Sequence, residues 1–358
     1  MTPKDILQSD AEVTIVGWPS IADPKLRAQL LSRKWDVLIL DESHAAKNPA
    51  AKRTQAVYGP QGIARTAERI WCLTATPMTN APNDLWPMLH ALAPERIDGM
   101  TYEQFLWKYC VVRMKRISNF RQIPVVMGGK NLDDLKRRIE GFVLRRTQAD
   151  VGIVEPVYET LPLMPSEAVQ RHVAKSFDAE AIMEAARSGE TRALDMHLGP
   201  LRRLTGEIKA PMVVETIKEE FDCGLDKIVL MHWHTDTGRI LCDGLAEFGV
   251  AQIEGATPPR QREIAERRFR DDPNCRVFVG QIAAAGEAID LSAAAEMLFV
   301  ESSFVPAQMR QAALRVTNYA QQKLVRVRVA VLEGSIDGAV ETILMRKWSS
   351  IREVMRAA

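Results

Sequence analysis

The sequence predicts an α/β fold of two parallel-sheet lobes with a helical middle. Three observations carry this. Short, unbroken apolar runs recur toward both ends of the chain, and strands buried on both faces belong to parallel sheets covered by helices. Between residues 227 and 333 those runs alternate with helical stretches, as repeated strand–helix units do. From about 85 to 222 the apolar spacing is helical instead.

Taken in order, strands are expected at EVTIVGW (12–18), WDVLILDE (35–42) and RIWCLTAT (69–76). In the middle, NDLWPMLHAL, TYEQFLWKY, LDDLKRRIEGFVL, SEAVQRHVAKSFDAEAIMEAARSG and APMVVETIKEEF are expected as helices, with MGGKN and LPLMP as breaks. Strands return at KIVLMHWH (227–234), VAQIEG (250–255), CRVFVGQI (275–282), MLFVES (297–302) and VRVRVAVLE (325–333). TGRILCDGLAEF and PPRQREIAERRFRDD are the helices between them. The expected boundaries are a first lobe at 1–90, a helical insertion and return at 91–150, a helical linker at 151–205 and a second lobe at 206–358.

With 358 residues and 46% hydrophobic content there is enough chain for two cores. A net charge of +1 supplies no overall field toward nucleic acid, so any basic surface is local. Cys72, Cys110, Cys223, Cys242 and Cys275 are odd in number and form no C-x-x-C pair. That argues against a disulfide framework or a structural zinc site and for a reducing cytoplasm. No apolar run reaches the roughly 18 residues that span a bilayer.

The chemistry sits where strands end. In parallel α/β sheets, ligands bind outside the carboxyl ends of the strands. Asp41, Glu42 and His44 follow VLIL directly. One carboxylate there can hold Mg²⁺ through its water shell, and a second can orient an attacking water. In isolation, capping of the next helix explains the two acids equally well. A second element shifts the balance: CLTATPMTN (72–80) also ends a buried strand, and Thr74 and Thr76 are hydroxyls able to bond the neighbouring acids and imidazole.

Asp-Glu-Ser-His followed by Thr-Ala-Thr-Pro resembles motifs II and III of superfamily 2 helicases of the DEAD/DEAH-like type. IEGFVLRRTQADV (139–151), IEGATPPRQREIAERRF (253–269), VFVGQIAAAGEAIDLSAA (277–294), VPAQMRQAALRVTNYAQQ (305–322) and LEGSIDGAV (332–340) resemble, in order, the later motifs of Swi/Snf-type DNA translocases. Within these, the likeness is to compact annealing-helicase-like and phage or bacterial members, which implies the cytoplasm of a bacterial or phage-infected cell. The resemblance covers nearly the whole chain. It implies two RecA-like lobes that bind ATP·Mg²⁺ between them and move on DNA. Carried across, Asp41 would coordinate Mg²⁺, Glu42 would position the hydrolytic water, and His44, Thr74 and Thr76 would couple nucleotide state to lobe movement. Gly286, Asp290 and Gln311 would line the ATP cleft, and Arg315 would face the phosphates.

Two departures stand out. The family places a Gly-Lys-Thr/Ser phosphate loop ahead of motif II. Residues 1–34 contain one glycine, Gly17, and no such triplet, so the first lobe is expected to be incomplete, truncated before its phosphate loop. Asn318 stands where the last motif has its second arginine, and Ala320 replaces a glycine. The leading expectation is therefore a translocase inactive by itself, with another polypeptide supplying the missing segment. Its rival is a non-catalytic DNA-binding or assembly module that keeps the two-lobe shape. A metal-dependent hydrolase built on Asp41, Glu42 and His44 would need further ligands.

From Lys108 to Arg146 there are eleven basic residues against three acidic ones. Lys115, Arg116, Lys136, Arg137, Arg145 and Arg146 are the candidates for sequence-independent DNA contacts, and a solvated helical surface is the plainer alternative. Trp86, Phe105, Trp107 and Tyr109 at helical spacing read as core. His232 and His234 lack a third ligand at metal spacing.

Overall fold

A computed structural model describes residues 11–75, 77–78, 81–118, 121–146, 148–167, 191–285, 289–303, 305–318, 321, 323–335 and 337–338. The chain forms two compact units that divide between Leu144 and Arg145. Among the described residues no helix is long and apolar enough to cross a membrane.

In the first unit, α1 (Pro24–Leu31) begins with Pro24 at its first position, and the Asp23 side chain accepts from the N–H groups of Lys25 and Leu26. β1 (Trp35–Leu40) follows, then α2 (Lys52–Tyr58) and β2 (Ala67–Cys72). β1 and β2 pair in parallel, from Trp35 opposite Ala67 to Leu40 opposite Cys72. Alternation sends Leu38, Leu40, Ile70 and Cys72 to one face, where they pack on Leu26, Leu30, Ala56, Val57 and Ile63. Of the other face, Val37, Ile39 and Trp71 stay exposed. Residues 12–18, expected as a strand, form none, and Val13 and Ile15 are exposed. A strand exists only against a partner edge, and β1 is paired to β2 alone among the described strands.

The rest of this unit has its own core. α3 (Trp86–Leu92), α4 (Tyr102–Tyr109) and α5 (Leu132–Ile139) bury Leu89, Phe105, Tyr109, Leu135 and Ile139 together. α4 opens with a capping box between Thr101 and Gln104. Phe105 and Tyr109 are core as expected, and Trp86 packs against it, but Trp107 is 45% exposed. The larger correction lies between α4 and α5. The expected helical surface is an antiparallel hairpin, β3 (Cys110–Ser118) and β4 (Arg121–Gly129). Val111, Val112, Ile123, Val125 and Val126 favour the pleated backbone over a helix.

The second unit is built on a six-stranded parallel sheet in the order β5-β10-β9-β6-β8-β7. Its strands are β5 (Val157–Leu163), β6 (Ile228–His232), β7 (Val250–Ile253), β8 (Val277–Gln281), β9 (Glu296–Phe299) and β10 (Arg326–Leu332). One face packs on Phe269, Phe278, Phe299 and Val316, the other on Val213, Ile217, Leu230 and Leu241. β6 is buried at every position, as its unbroken apolar run predicts. β5 corrects the expected helical linker at 151–205: it pairs with β10 along its whole length. It is an edge strand, which is why Pro162 and the exposed Tyr158 are tolerated there and why its pattern is weak. The SEAVQ…ARSG helix (166–189) lies almost entirely outside the described residues. The helix Thr191–Asp222 leads into β6.

Candidate functional site

Where β1 ends, the backbone turns sharply. Asp41 is exposed, and its Oδ1 accepts the Glu42 N–H at 2.9 Å while its carbonyl accepts the Trp18 indole N–H at 2.8 Å. Glu42 sits in the left-handed region at φ 48°, ψ 47°, a conformation that costs a non-glycine residue roughly 1–2 kcal/mol. The turn Ser43–Ala46 follows. Parallel pairing continues past the strands: Leu73 N–H donates to Leu40 O, and Ser43 N–H to Leu73 O, each at 2.9 Å. This stitches the segment after β2 to the turn after β1.

Three predicted residues meet there. His44 Nδ1 lies 3.0 Å from Thr74 Oγ1 and 3.1 Å from Glu42 Oε2, and the Thr74 hydroxyl donates to Glu42 Oε2 at 3.5 Å. Burial lowers the His44 pKa, with the Glu42 carboxylate acting against that shift. Asp41 stays outside this triangle, facing solvent. Thr76 lies outside the described residues.

A magnesium nucleotide fits this turn at one end only. Asp41 has its second oxygen available for a water-shell contact of the kind Mg²⁺ prefers. Among the described residues no group of three His, Cys, Asp or Glu could hold a metal alone. The sequence nowhere contains Gly-Lys-Thr or Gly-Lys-Ser, the triplet that closes a phosphate-binding loop.

In the second unit, Asp290 Oδ1 accepts the Ser292 N–H at 3.0 Å. Asn318 donates from Nδ2 to Ser292 Oγ at 2.5 Å and to Asp290 Oδ2 at 3.3 Å. Leu291 N–H donates to Arg315 O at 2.9 Å, so Asp290, Arg315 and Asn318 form one local knot. Gln311 lies one helical turn before Arg315, on the helix Pro306–Ala313. Gly286 lies outside the described residues. At the position expected for an arginine, the neutral Asn318 amide is thus used up in ordering the loop.

The basic candidates fall on three elements rather than one. Lys115 and Arg116 are on β3, and Lys136 and Arg137 are on α5, where Arg137 lies 3.6 Å from Asp134. Arg145 and Arg146 belong to the second unit. α5 is also less positive than its sequence suggests. Asp134 accepts from Tyr109 Oη at 2.6 Å and from Arg138 Nε at 3.0 Å, and these contacts hold its pKa down to about 2.

One cluster joins His234, singled out in the sequence, to a residue that had no sequence signal. Glu301 is 2% exposed and accepts from the N–H groups of Trp233 and His234 at 2.8 and 2.9 Å; its other oxygen lies 2.6 Å from His234 Nδ1. Burial pushes the Glu301 pKa up, but the His234 ring and the two N–H groups outweigh it and hold it below the ordinary value. His232 is fully buried, with Nδ1 3.0 Å from His234 O, and burial lowers its pKa.

The depressed imidazoles set a pH dependence. Below about 6.5 the unfolded chain binds protons that His44 and His232 refuse in the fold, so stability falls as pH drops through that window. The thermal midpoint should hold from pH 8 to 7 and decline from 6.5 to 5. His232→Gln should flatten part of the decline; an unchanged slope would place the proton uptake elsewhere.

Comparison with known proteins follows the same lines. Residues 2–211 match the family described as SNF2-related domain, and residues 214–320 match the helicase conserved C-terminal domain. The chain is 26% identical over 348 residues to the mouse (Mus musculus) DNA annealing helicase and endonuclease ZRANB3, covering 94% of this chain and 32% of that protein. It is 25% identical over 337 residues to a Drosophila melanogaster SWI/SNF-related regulator of chromatin, subfamily A-like protein 1, covering 91% of this chain and 42% of the relative. The chain thus spans about a third of the length of the ZRANB3 relatives it matches. Among solved structures, the Sulfolobus solfataricus SWI2/SNF2 ATPase core in complex with dsDNA aligns with a TM-score of 0.41 and 19% identity, over 95% of this chain and 76% of that one.

Proposed function

Because the chain belongs to the SNF2-related family, we propose that it is the DNA-tracking and water-activating part of an ATP-dependent Swi/Snf-type translocase. The observation that carries this reading is the triangle of Glu42, His44 and Thr74, which joins the ends of two adjacent parallel strands beside an exposed Asp41. In this reading Asp41 holds Mg²⁺ through water, Glu42 orients the attacking water, and His44 and Thr74 fix the Glu42 carboxylate. ATP with Mg²⁺ would supply the phosphoryl chemistry. Arg315, Gln311, Asp290 and Gly286 are the second unit's candidate nucleotide residues, and Thr76 is the second hydroxyl of the Thr74 motif. The setting is the cytoplasm of a bacterial or phage-infected cell.

In this reading a further polypeptide segment would supply the phosphate cradle, and the chain alone would turn nothing over. Asn318 favours a second reading, a DNA-binding module that keeps the lobes but turns nothing over, because its amide is committed to Asp290 and Ser292.

Both readings require DNA. Lys115, Arg116, Lys136, Arg137, Arg145 and Arg146 would contact phosphates without regard to base sequence. Binding to duplexes of scrambled sequence should give one affinity, falling by about 10³ or more between 50 and 200 mM salt if six phosphates are neutralised. Affinity that tracks base sequence, or ignores salt, defeats this part of the proposal.

A further inference from the structure

Past the strand ends of the second unit, side chains continue the pairing that the backbone gives up. Across the neighbours β9, β6, β8 and β7, the last backbone pairs include His232 with Gln281 and Ile253 with Gly280. Beyond them each loop is bonded to the next. From the end of β9, Glu301 accepts the N–H groups of Trp233 and His234 in the loop after β6. From the end of β8, Gln281 reaches both of its neighbours. Its Nε2 donates to Trp233 O, and its Oε1 accepts the N–H of Gly255 in the loop after β7, each at 2.9 Å.

Arg262, on the helix Pro259–Asp271, closes the row. It donates to Thr257 O at 2.9 Å and to Ala284 O at 3.0 Å. That ties the loop after β7 to the short helix Ile282–Ala285, which leads toward Gly286. Gly255 permits the close approach: a Cβ there would lie 3.3 Å from Gln281 Oε1. A polar side chain that caps a strand end is ordinary, since most side-chain hydrogen bonds go to backbone. Gln281 differs in spending the two ends of one amide on two different loops. An amide both donates and accepts, whereas a carboxylate of the same length only accepts and an alkyl chain does neither.

We propose that Gln281 is a positioning residue, a two-armed brace that holds the loops after β6 and β7 against the start of the segment leading to Gly286. Ligands of a parallel sheet sit on this rim. Loops already held in place lose less freedom when a ligand arrives. The brace goes beyond the functional reading above, because it needs no particular ligand and assigns a residue that touches none.

The test is amide hydrogen exchange on the full chain, followed at residue resolution by mass spectrometry. Trp233, His234 and Gly255 report the two loops, and Val229–Met231 within β6 serve as the reference. Gln281→Leu removes both arms. Exchange at Trp233, His234 and Gly255 should quicken about tenfold, while the reference amides stay unchanged. The N–H groups of Trp233 and His234 bond Glu301, so a change there is transmitted through Trp233 O. Gln281→Glu keeps the acceptor for Gly255 and loses the donor to Trp233 O. Trp233 and His234 should then quicken by about the same factor, with Gly255 within about twofold of the unaltered chain. A residue that merely fills space would not separate its two neighbours in this way. Unchanged exchange at Trp233 and His234 in Gln281→Leu, or an equal response of both loops to Gln281→Glu, overturns the brace. Quickening of the reference amides together with the loops overturns it too, since Gln281 would then hold the fold as a whole. If Gln281→Leu loses its thermal transition, Gln281→Glu alone carries the comparison.

Discussion

ATP should remain unhydrolysed when the 358-residue chain is its sole protein partner, with or without DNA. Two deficits combine. No Gly-Lys-Thr/Ser loop is available to hold the β- and γ-phosphates against Asp41 and Glu42. The position of the expected second arginine holds Asn318, whose amide bonds Ser292 and Asp290. Loss of an arginine finger costs roughly 10³–10⁵ in rate where measured. Supplying a polypeptide that carries the cradle should bring DNA-stimulated turnover above background. Glu42→Gln should then remove roughly 10²–10⁴ of it, the range of a positioned general base. A coupled phosphate-release assay on the unaltered chain and Glu42→Gln decides this. DNA-stimulated turnover by the chain alone would mean that other residues hold the phosphates. Silence even with the cradle present would favour the non-catalytic DNA-binding module.

Glu301→Ala should be the most damaging single change in the second unit. The carboxylate is buried beyond the end of β9 and ties down the loop that follows β6 through Trp233 and His234. The helix Thr191–Asp222 approaches closely enough that a side chain at Gly206 would overlap this carboxylate. Arg202 on that helix donates to Ser302 O and stacks over the Trp233 ring, 5.0 Å from its centre. Removing Glu301 leaves two half-buried N–H groups and a half-buried imidazole without their acceptor. Leaving such donors unsatisfied costs about 1–3 kcal/mol each. Glu301→Gln keeps an acceptor and should cost about 1–3 kcal/mol. Urea unfolding should show a lower midpoint with an unchanged slope. A loss below about 1 kcal/mol for Glu301→Ala would mean that other contacts hold the loop.

What the sequence discloses depends on how local the cause is. The strands β6, β8 and β9 were legible because burial on both faces leaves continuous apolar runs. β5 was not, since its exposed edge admits Tyr158, Glu159 and Pro162 into the pattern. The β3–β4 hairpin was hidden because Arg and Lys alternate with Val, Met and Ile, so a charge run masked the alternation of two. Asp41, Glu42, His44 and Thr74 were legible because each follows directly on a strand end. The pairing of His234 with Glu301 was not, because its halves lie 67 residues apart and meet only once β6 and β9 are neighbours.

Glu42 carries one more implication. A left-handed backbone at the end of β1 is a place where glycine would relieve strain, at the loss of the carboxylate's contacts to His44 and Thr74. The glutamate occupies a strained backbone position and from it brings its carboxylate to His44 and Thr74.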